Sequence, residues 1–153
     1  TGHSPRHQRN HSGEGLISMA RPLPRFPEPD TQEYWKAARE HQLKYQRCTQ
    51  CSQVVFYPRH HCPHCGAAYP AWETSGGQGV VYTFSVVAVN RNPSFNDMVP
   101  YVVAFIDLDE GFRVMSNLVG VEDPFKDIHC GMRVKVRWED QNEEISLPLF
   151  EPA

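Results

Sequence analysis

The pattern of apolar and polar positions changes character along the chain. Residues 1–20 carry no period. His3, His7 and His11 are scattered there among Ser, Gly and Arg, the pattern of a disordered leader or tag with a native start near Met19. Residues 21–29, Arg-Pro-Leu-Pro-Arg-Phe-Pro-Glu-Pro, are stiffened by proline and predict an extended arm rather than a helix. Apolar or aromatic positions then recur at helical spacing at Tyr34, Ala37, Ala38, His41 and Tyr45, with Trp35 at the rim of that face. Asp30 stands where an N-cap would, with Glu33 three residues on as its capping-box partner. An aromatic stripe is usually core. Beside a proline arm it can instead dock on another chain, which makes Phe26, Tyr34 and Trp35 candidate interface residues.

From Val80 the period becomes two. Val80–Val89 and Tyr101–Leu108 are runs rich in β-branched and aromatic residues, and Asp109-Glu110-Gly111 is a hairpin turn leading into a third strand, Phe112–Val119. A fourth, Met132–Glu139, alternates cleanly. Met132, Val134, Val136 and Trp138 face one side, while Arg133, Lys135, Arg137 and Glu139 face the other. Ile145–Leu149 is a short fifth, and Glu122–Gly131 is a turn or short helix between the third and fourth. Five short strands with an insertion at that point is the order of an OB-fold barrel, although strand count alone also allows an SH3-like barrel. The expected fold is mainly β: an N-terminal helix, a ribbon built on Cys48, Cys51, Cys62 and Cys65, and a five-stranded OB-fold barrel. The expected division is 1–20 leader or tag, 21–46 proline arm and helix, 47–75 cysteine ribbon and 76–153 OB-fold domain.

The ribbon rests on the cysteines. Cys48-Thr-Gln-Cys51 is followed, ten residues on, by Cys62-Pro-His-Cys65-Gly66. Two Cys-x2-Cys pairs match the spacing of a tetrahedral four-sulfur zinc site, because one tight turn aims both thiols of a pair at one ion. The intervening residues fold back as a hairpin around a short strand, Val54–Tyr57. Two disulfides or a redox pair are the competing readings, but a redox Cys-x-x-Cys usually occurs once, near a βαβ pattern that is not visible here. Four thiolates leave no open coordination position, so this zinc is structural rather than catalytic. His60, His61 and His64 could each replace a thiol but read as solvent-facing. The fifth cysteine, Cys130, reads as a small, partly buried apolar residue.

Composition narrows the function classes. Apolar content of 40% and charged content of 22% are ordinary for a soluble domain. No apolar run reaches membrane-spanning length and no secretory leader is evident, so no membrane partner is expected. Thiols held as a metal site fit a reducing compartment, placing the protein in the cytoplasm. The net charge of −3 divides unevenly: residues 1–79 hold nine Lys/Arg against six Asp/Glu, and residues 80–153 hold six against twelve. An acidic barrel without clustered cations argues against a nucleic-acid-binding module. No Ser/His/Asp or Cys/His set has credible context, so no catalytic residue is assigned. Asp107, Asp109 and Glu110 read as solvated turn acids. The loop Asn90–Val99 lies where OB folds commonly bind ligands, and its Arg91, Asn92 and Phe95 could meet a phosphate or an adenine ring.

Ribbon and barrel together resemble a known family, the OB-fold proteins with an N-terminal rubredoxin-like zinc ribbon that are associated with acyl-CoA metabolism. The resemblance covers roughly residues 26–152. It is carried by Tyr34-Trp35 leading into Leu43-x4-Cys48-x2-Cys51, and by Tyr57-Pro58-Arg59-x2-Cys62-Pro63-x-Cys65-Gly66. Trp72 before Gly76-x2-Gly79-Val80-Val81-Tyr82-Thr83-Phe84 adds to it, as do Pro100–Val103 with Leu108–Gly111, and Gly131-Met132-x-Val134-x-Val136. Ser52 departs from the family's usual glycine without removing a ligand. The resemblance implies a non-catalytic accessory subunit in a hetero-oligomer. Its partner would be a thiolase-fold enzyme, either a thiolase or a retro-aldolase, acting on acyl-CoA, with the coenzyme A thioester bound at or near the interface. In such complexes the subunit stabilises the enzyme and helps shape the acyl-CoA channel. The alternatives are a partner of a hot-dog-fold (MaoC-like) enoyl-CoA hydratase and, in a different class, a nucleic-acid-binding OB and zinc-ribbon module.

Overall fold

The computed structural model describes residues 21–25 and 28–153; the expected leader and the interface candidate Phe26 lie outside the described residues. Helix α1 spans Pro29–Arg39. Pro29 opens it, since the first helical position needs no amide donor and suits the fixed φ of proline. Glu28 is the N-cap and makes no side-chain cap bond, so the expected Asp30–Glu33 capping box does not form. Asp30 sits inside the first turn, where its charge suits the positive helix end, and its Oδ1 lies 3.1 Å from His60 Nδ1. Glu33 meets Lys44 at 3.1 Å instead. The apolar face also ends sooner than its period suggested. His41 takes a left-handed φ of 58°, and Tyr45 belongs to a strand.

That strand, β1 (Lys44–Arg47), is the centre of a small antiparallel sheet between β2 (Val54–Val55) and β3 (Ala71–Thr74). The expected strand Val54–Tyr57 is therefore half as long, and two others carried no visible period. Buried Gln46 is accounted for by the Arg59 N–H, which donates to its Oε1 at 2.8 Å.

The remaining strands are β4 (Gln78–Val87), β5 (Tyr101–Leu108), β6 (Arg113–Leu118), β7 (Arg133–Asp140) and β8 (Ser146–Pro152). They close as β4-β5-β6-β8-β7, with the start of β4 returning to pair with β7. This closed order is that of the OB fold. A bulge between Val81 and Thr83 bends β4 enough to serve both neighbours. Residues 122–131 form turns, with Ile128 buried against the barrel, and no helix. Two glycines of the 76–79 break are required by close approach. A Cβ on Gly79 would lie 2.4 Å from the Asp107 carbonyl, and one on Gly77 (φ 70°) would lie 2.4 Å from Val136 Cγ1. Inward Val134, Val136 and Trp138 alternate with exposed Arg133, Lys135 and Arg137, as the period required.

Helix, ribbon sheet and barrel share one core. Tyr34, Leu43 and Tyr45 pack in a single cluster with Ile106, Phe112, Val134 and Phe150. Cross-links reinforce it. His41 stacks on Trp138 at 5.5 Å and bonds Asp140 at 2.8 Å, while the Glu110 carboxylate accepts from Ser75 Oγ at 2.8 Å and Gly76 N–H at 2.7 Å. Among the described residues no helix is long and apolar enough to cross a membrane.

Candidate metal centre and an apolar cleft beside it

The two Cys-x2-Cys turns are built alike. Cys48 N–H donates to Gln53 O at 2.9 Å and Ser52 N–H to Cys48 O at 2.9 Å; in the second turn Cys62 N–H donates to Ala67 O at 2.8 Å and Gly66 N–H to Cys62 O at 2.9 Å. Both turns close with a left-handed residue, Ser52 at φ 60° and Gly66 at φ 77°. The second knuckle thus uses glycine where this conformation favours it, while the first tolerates serine. Val55, packed against Cys48 and Cys62, holds the turns face to face.

The four Sγ atoms lie within 4.8 Å of one another. Cys48 and Cys65 are 3.5 Å apart and Cys51 and Cys62 are 3.7 Å apart. A disulfide needs about 2.05 Å, whereas a tetrahedron with Zn–S bonds of about 2.3 Å has edges of about 3.8 Å. The set fits a four-coordinate thiolate site and no disulfide pairing. Its electrostatics point the same way. The N–H groups of Cys51 and Gln50 draw the Cys48 thiol down to about 6. Cys51 is favoured by the Gln53 N–H, yet burial and the crowded neighbouring sulfurs push it up to about 12. Four thiolates cannot share this space without a cation between them. His60, His61 and His64 are all exposed and outside the cluster. Cys130 is exposed rather than partly buried, because its turn lies on the barrel surface.

Beside the metal centre is a polar arrangement that the sequence did not announce. Glu73 on β3 accepts from Tyr45 Oη, and its two carboxylate oxygens share the Arg47 Nε–H of β1 at 3.0 and 3.1 Å. Tyr45 and then Arg47 lower the Glu73 carboxyl. This triad ties the ribbon sheet together below its knuckles, and Tyr45 stacks on Phe112 of the barrel at 5.0 Å. The three acids expected to be solvated are also engaged. Asp107 is held by Arg113 at 2.6 and 2.9 Å, Asp109 by Arg133 at 2.7 and 2.8 Å, and Glu110 by Ser75 and Gly76.

A cleft of about 360 Å³ opens where helix, ribbon and barrel meet. Its walls are Trp35, Tyr57 and Pro58 on one side and Met115, Leu147 and Leu149 on the other. Tyr57 is 54% exposed and Met115 55% exposed. Of the described interface candidates, Tyr34 and Trp35 both line the cleft, but Tyr34 is largely buried in the chain's own core, 5.2 Å from the Trp35 ring and 6.0 Å from Phe56, so Trp35 offers more of its ring to the wall. Periodicity could not find Tyr57 or Met115, since they meet only through the packing of ribbon on barrel. Arg91, Asn92 and Phe95 lie on the loop before β5, away from this cleft. Arg91 and Asn92 are exposed, and Asn92 Oδ1 accepts the Ser94 N–H at 3.0 Å.

Comparison with known proteins completes the site. Residues 35–70 match the family described as "ChsH2, rubredoxin-like zinc ribbon domain", and residues 72–139 match "ChsH2, C-terminal OB-fold domain". The solved structure titled "Ltp2-ChsH2(DUF35) aldolase" contains a chain 36% identical to this one, covering 86% of this chain and 98% of that one, with a TM-score of 0.75. This chain belongs to the ChsH2 (DUF35) family. Similar proteins include a "Probable enoyl-CoA hydratase alpha subunit" of Thermomonospora curvata, 39% identical over 81% of this chain and 38% of the relative. The "Benzoylsuccinyl-CoA thiolase subunit BbsA" of Geobacter metallireducens is 30% identical over 66% of each. This chain thus spans less than two thirds of the length of either of these two relatives. The family match makes the four-cysteine cluster a zinc ribbon positioned to bind a metal.

Proposed function

We propose that this chain is a non-catalytic, zinc-bearing subunit that docks on a thiolase-fold enzyme, a thiolase or retro-aldolase, acting on acyl-CoA. Cys48, Cys51, Cys62 and Cys65 hold one zinc that is structural, because four sulfur ligands leave no site for substrate. The observation that carries the reading is the apolar cleft with its exposed rim of Tyr57 and Met115, since solvent-facing apolar surface gathered at one place marks an interaction site. The names of the relatives support the choice of partner: one is an aldolase complex and another a thiolase subunit. In this role the subunit stabilises the enzyme and helps wall the acyl-CoA channel, with the thioester at or near the interface. Thiolate ligands suit the reducing cytoplasm. Acyl-CoA hydration by a hot-dog-fold partner is the second reading, favoured by the Thermomonospora relative's name. The test is co-expression with the neighbouring genes, followed by assays of C–C cleavage and hydration on acyl-CoA thioesters. An enriched thiolase-fold partner carrying the activity supports the proposal. Turnover by the isolated chain refutes it.

A further inference from the structure

The cleft lies along the seam that closes the barrel most sparsely. Strands β6 and β8 run parallel and share one paired position, Leu118 with Phe150. In a strand, alternate residues turn their backbone groups to opposite edges. The Phe112 carbonyl accepts on the β5 side from Leu108 N–H, and Val119 N–H reaches Phe150 O on the β8 side, so Arg113, Met115 and Asn117 face β8. The next rung would need residue 148 to donate to the Met115 carbonyl. That residue is Pro148, which has no N–H. Its own carbonyl is taken by the Ser116 hydroxyl at 2.6 Å, which caps the seam and leaves the rest of the β6 edge open. The other side of β6 is paired with β5 from Asp107 to Val102. The open edge is therefore preformed; Met115 lines the apolar cleft and Arg113 stands just beyond its end.

We propose that this open seam is a strand-acceptor groove, into which an extended segment of the partner enzyme, apolar at alternate positions and basic at one end, adds to the free edge of β6. The proposal rests on the accessory role given above and names how the partner engages. Strand addition supplies main-chain hydrogen bonds to an exposed edge and sends alternate side chains into whatever lies beneath. Here the edge groups of Arg113 and Met115 take the bonds, and the walls of Trp35, Tyr57, Leu147 and Leu149 take the side chains. An acyl chain would fill the same walls but leave the Met115 carbonyl unmet. The charge follows from the β7–β8 hairpin at the Leu147 end. It carries Glu139, Asp140, Glu143 and Glu144; Asp140 is engaged by His41 and Glu139 by the Gln141 amide. Glu143 and Glu144 are exposed, and among the described residues no cation pairs with them, so that end suits Lys or Arg on the incoming segment.

Residue-resolved amide exchange of the full chain tests this in two arms. In one, the chain is mixed with the synthetic octapeptide Lys-Lys-Val-Thr-Val-Thr-Val-Ser, with the same peptide N-methylated at alternate residues, or with octanoyl-pantetheine. In the other, the chain is bound to its co-purified enzyme. Slowing of the Arg113 and Met115 amides by tenfold or more with the plain peptide and with the enzyme, but not with the N-methylated peptide, is the expected result. Equal effects of the two peptides, or protection by octanoyl-pantetheine alone, would overturn the groove. If an enzyme binds while those amides exchange as in the free chain, the groove falls and the accessory role stands. If the peptide protects them but no enzyme co-purifies, the accessory role falls and the groove stands.

Discussion

The ribbon and the barrel are held together by different forces. The ribbon's own core is Cys48, Val55 and Cys62, with Cys51 and Ala67 beside them. So little apolar surface cannot offset the conformational entropy of ordering the two knuckles, at about 1–2 kcal/mol per residue for the backbone. The knuckles must draw on a bond stronger than burial, and the thiolate cluster supplies it. The barrel has the opposite design. Ile106, Val134 and Phe150 are fully buried in a continuous cluster, and apolar burial alone can sustain it. The difference teaches where each region is vulnerable. One chelator threatens the first, and one missing side chain threatens the second.

Removing the metal should break the comparison most sharply. Metal binding in small zinc modules carries an apparent 10–16 kcal/mol, about all of their folding energy. Cys62→Ser, or exhaustive chelation, is expected to abolish one equivalent of zinc by elemental analysis and to open residues 48–66 to proteolysis. The barrel amides should stay dispersed in the same sample. Next comes the barrel's counterpart. Phe150→Ala is expected to cost about 3–5 kcal/mol in urea titrations while full zinc content is retained.

Trp35 and Tyr57 stand at the junction of the two regions. Trp35→Ala is expected to weaken the complex by about 2 kcal/mol or more, as aromatic anchors do, measured by titration calorimetry against the partner. Because Trp35 also packs on the chain's own core, Tyr57→Ala serves as the cleaner variant: it should weaken binding with little change in melting temperature.

Smaller effects come from charge. Arg113 lowers Asp107 and Arg133 lowers Asp109. A carboxylate held below its unfolded value of about 3.9 contributes stability above that value and loses it as pH falls through the folded pKa. Barrel stability should therefore decline below about pH 4 by a small, salt-sensitive amount, since both pairs are half exposed. Asp107→Asn should flatten that decline in thermal melts. Cys130→Ala should leave zinc content and the activity of the complex unchanged, because the exposed thiol touches neither the knuckles nor the cleft.

The sequence was most legible where the signal was local. Cys48-x2-Cys51 and Cys62-x2-Cys65 declare a metal cluster by spacing alone, and the alternation from Met132 to Glu139 declares a half-buried strand. Strands β1 and β3 escaped because four residues, Lys-Tyr-Gln-Arg or Ala-Trp-Glu-Thr, hold too little period to separate strand from loop. With them went the Tyr45–Arg47–Glu73 triad, which exists only once those strands pair. The helix starts earlier than its capping pattern implies because Pro29 and Asp30 compete for the same turn, and proline at the first position leaves the aspartate inside the helix. The cleft could not be read at all. It depends on Pro148 arriving opposite Ser116, a register set by the parallel pairing of β6 with β8, distant in sequence.

The central claim is that the zinc-held ribbon and the barrel act together as a docking subunit. Native mass spectrometry of the chain, gently affinity-purified after co-expression with its genomic neighbours, tests it most directly. The account predicts a hetero-oligomer containing this chain, one zinc per copy and a thiolase-fold enzyme, with acyl-CoA turnover confined to that species. A free chain that turns over acyl-CoA with no second protein present would contradict it.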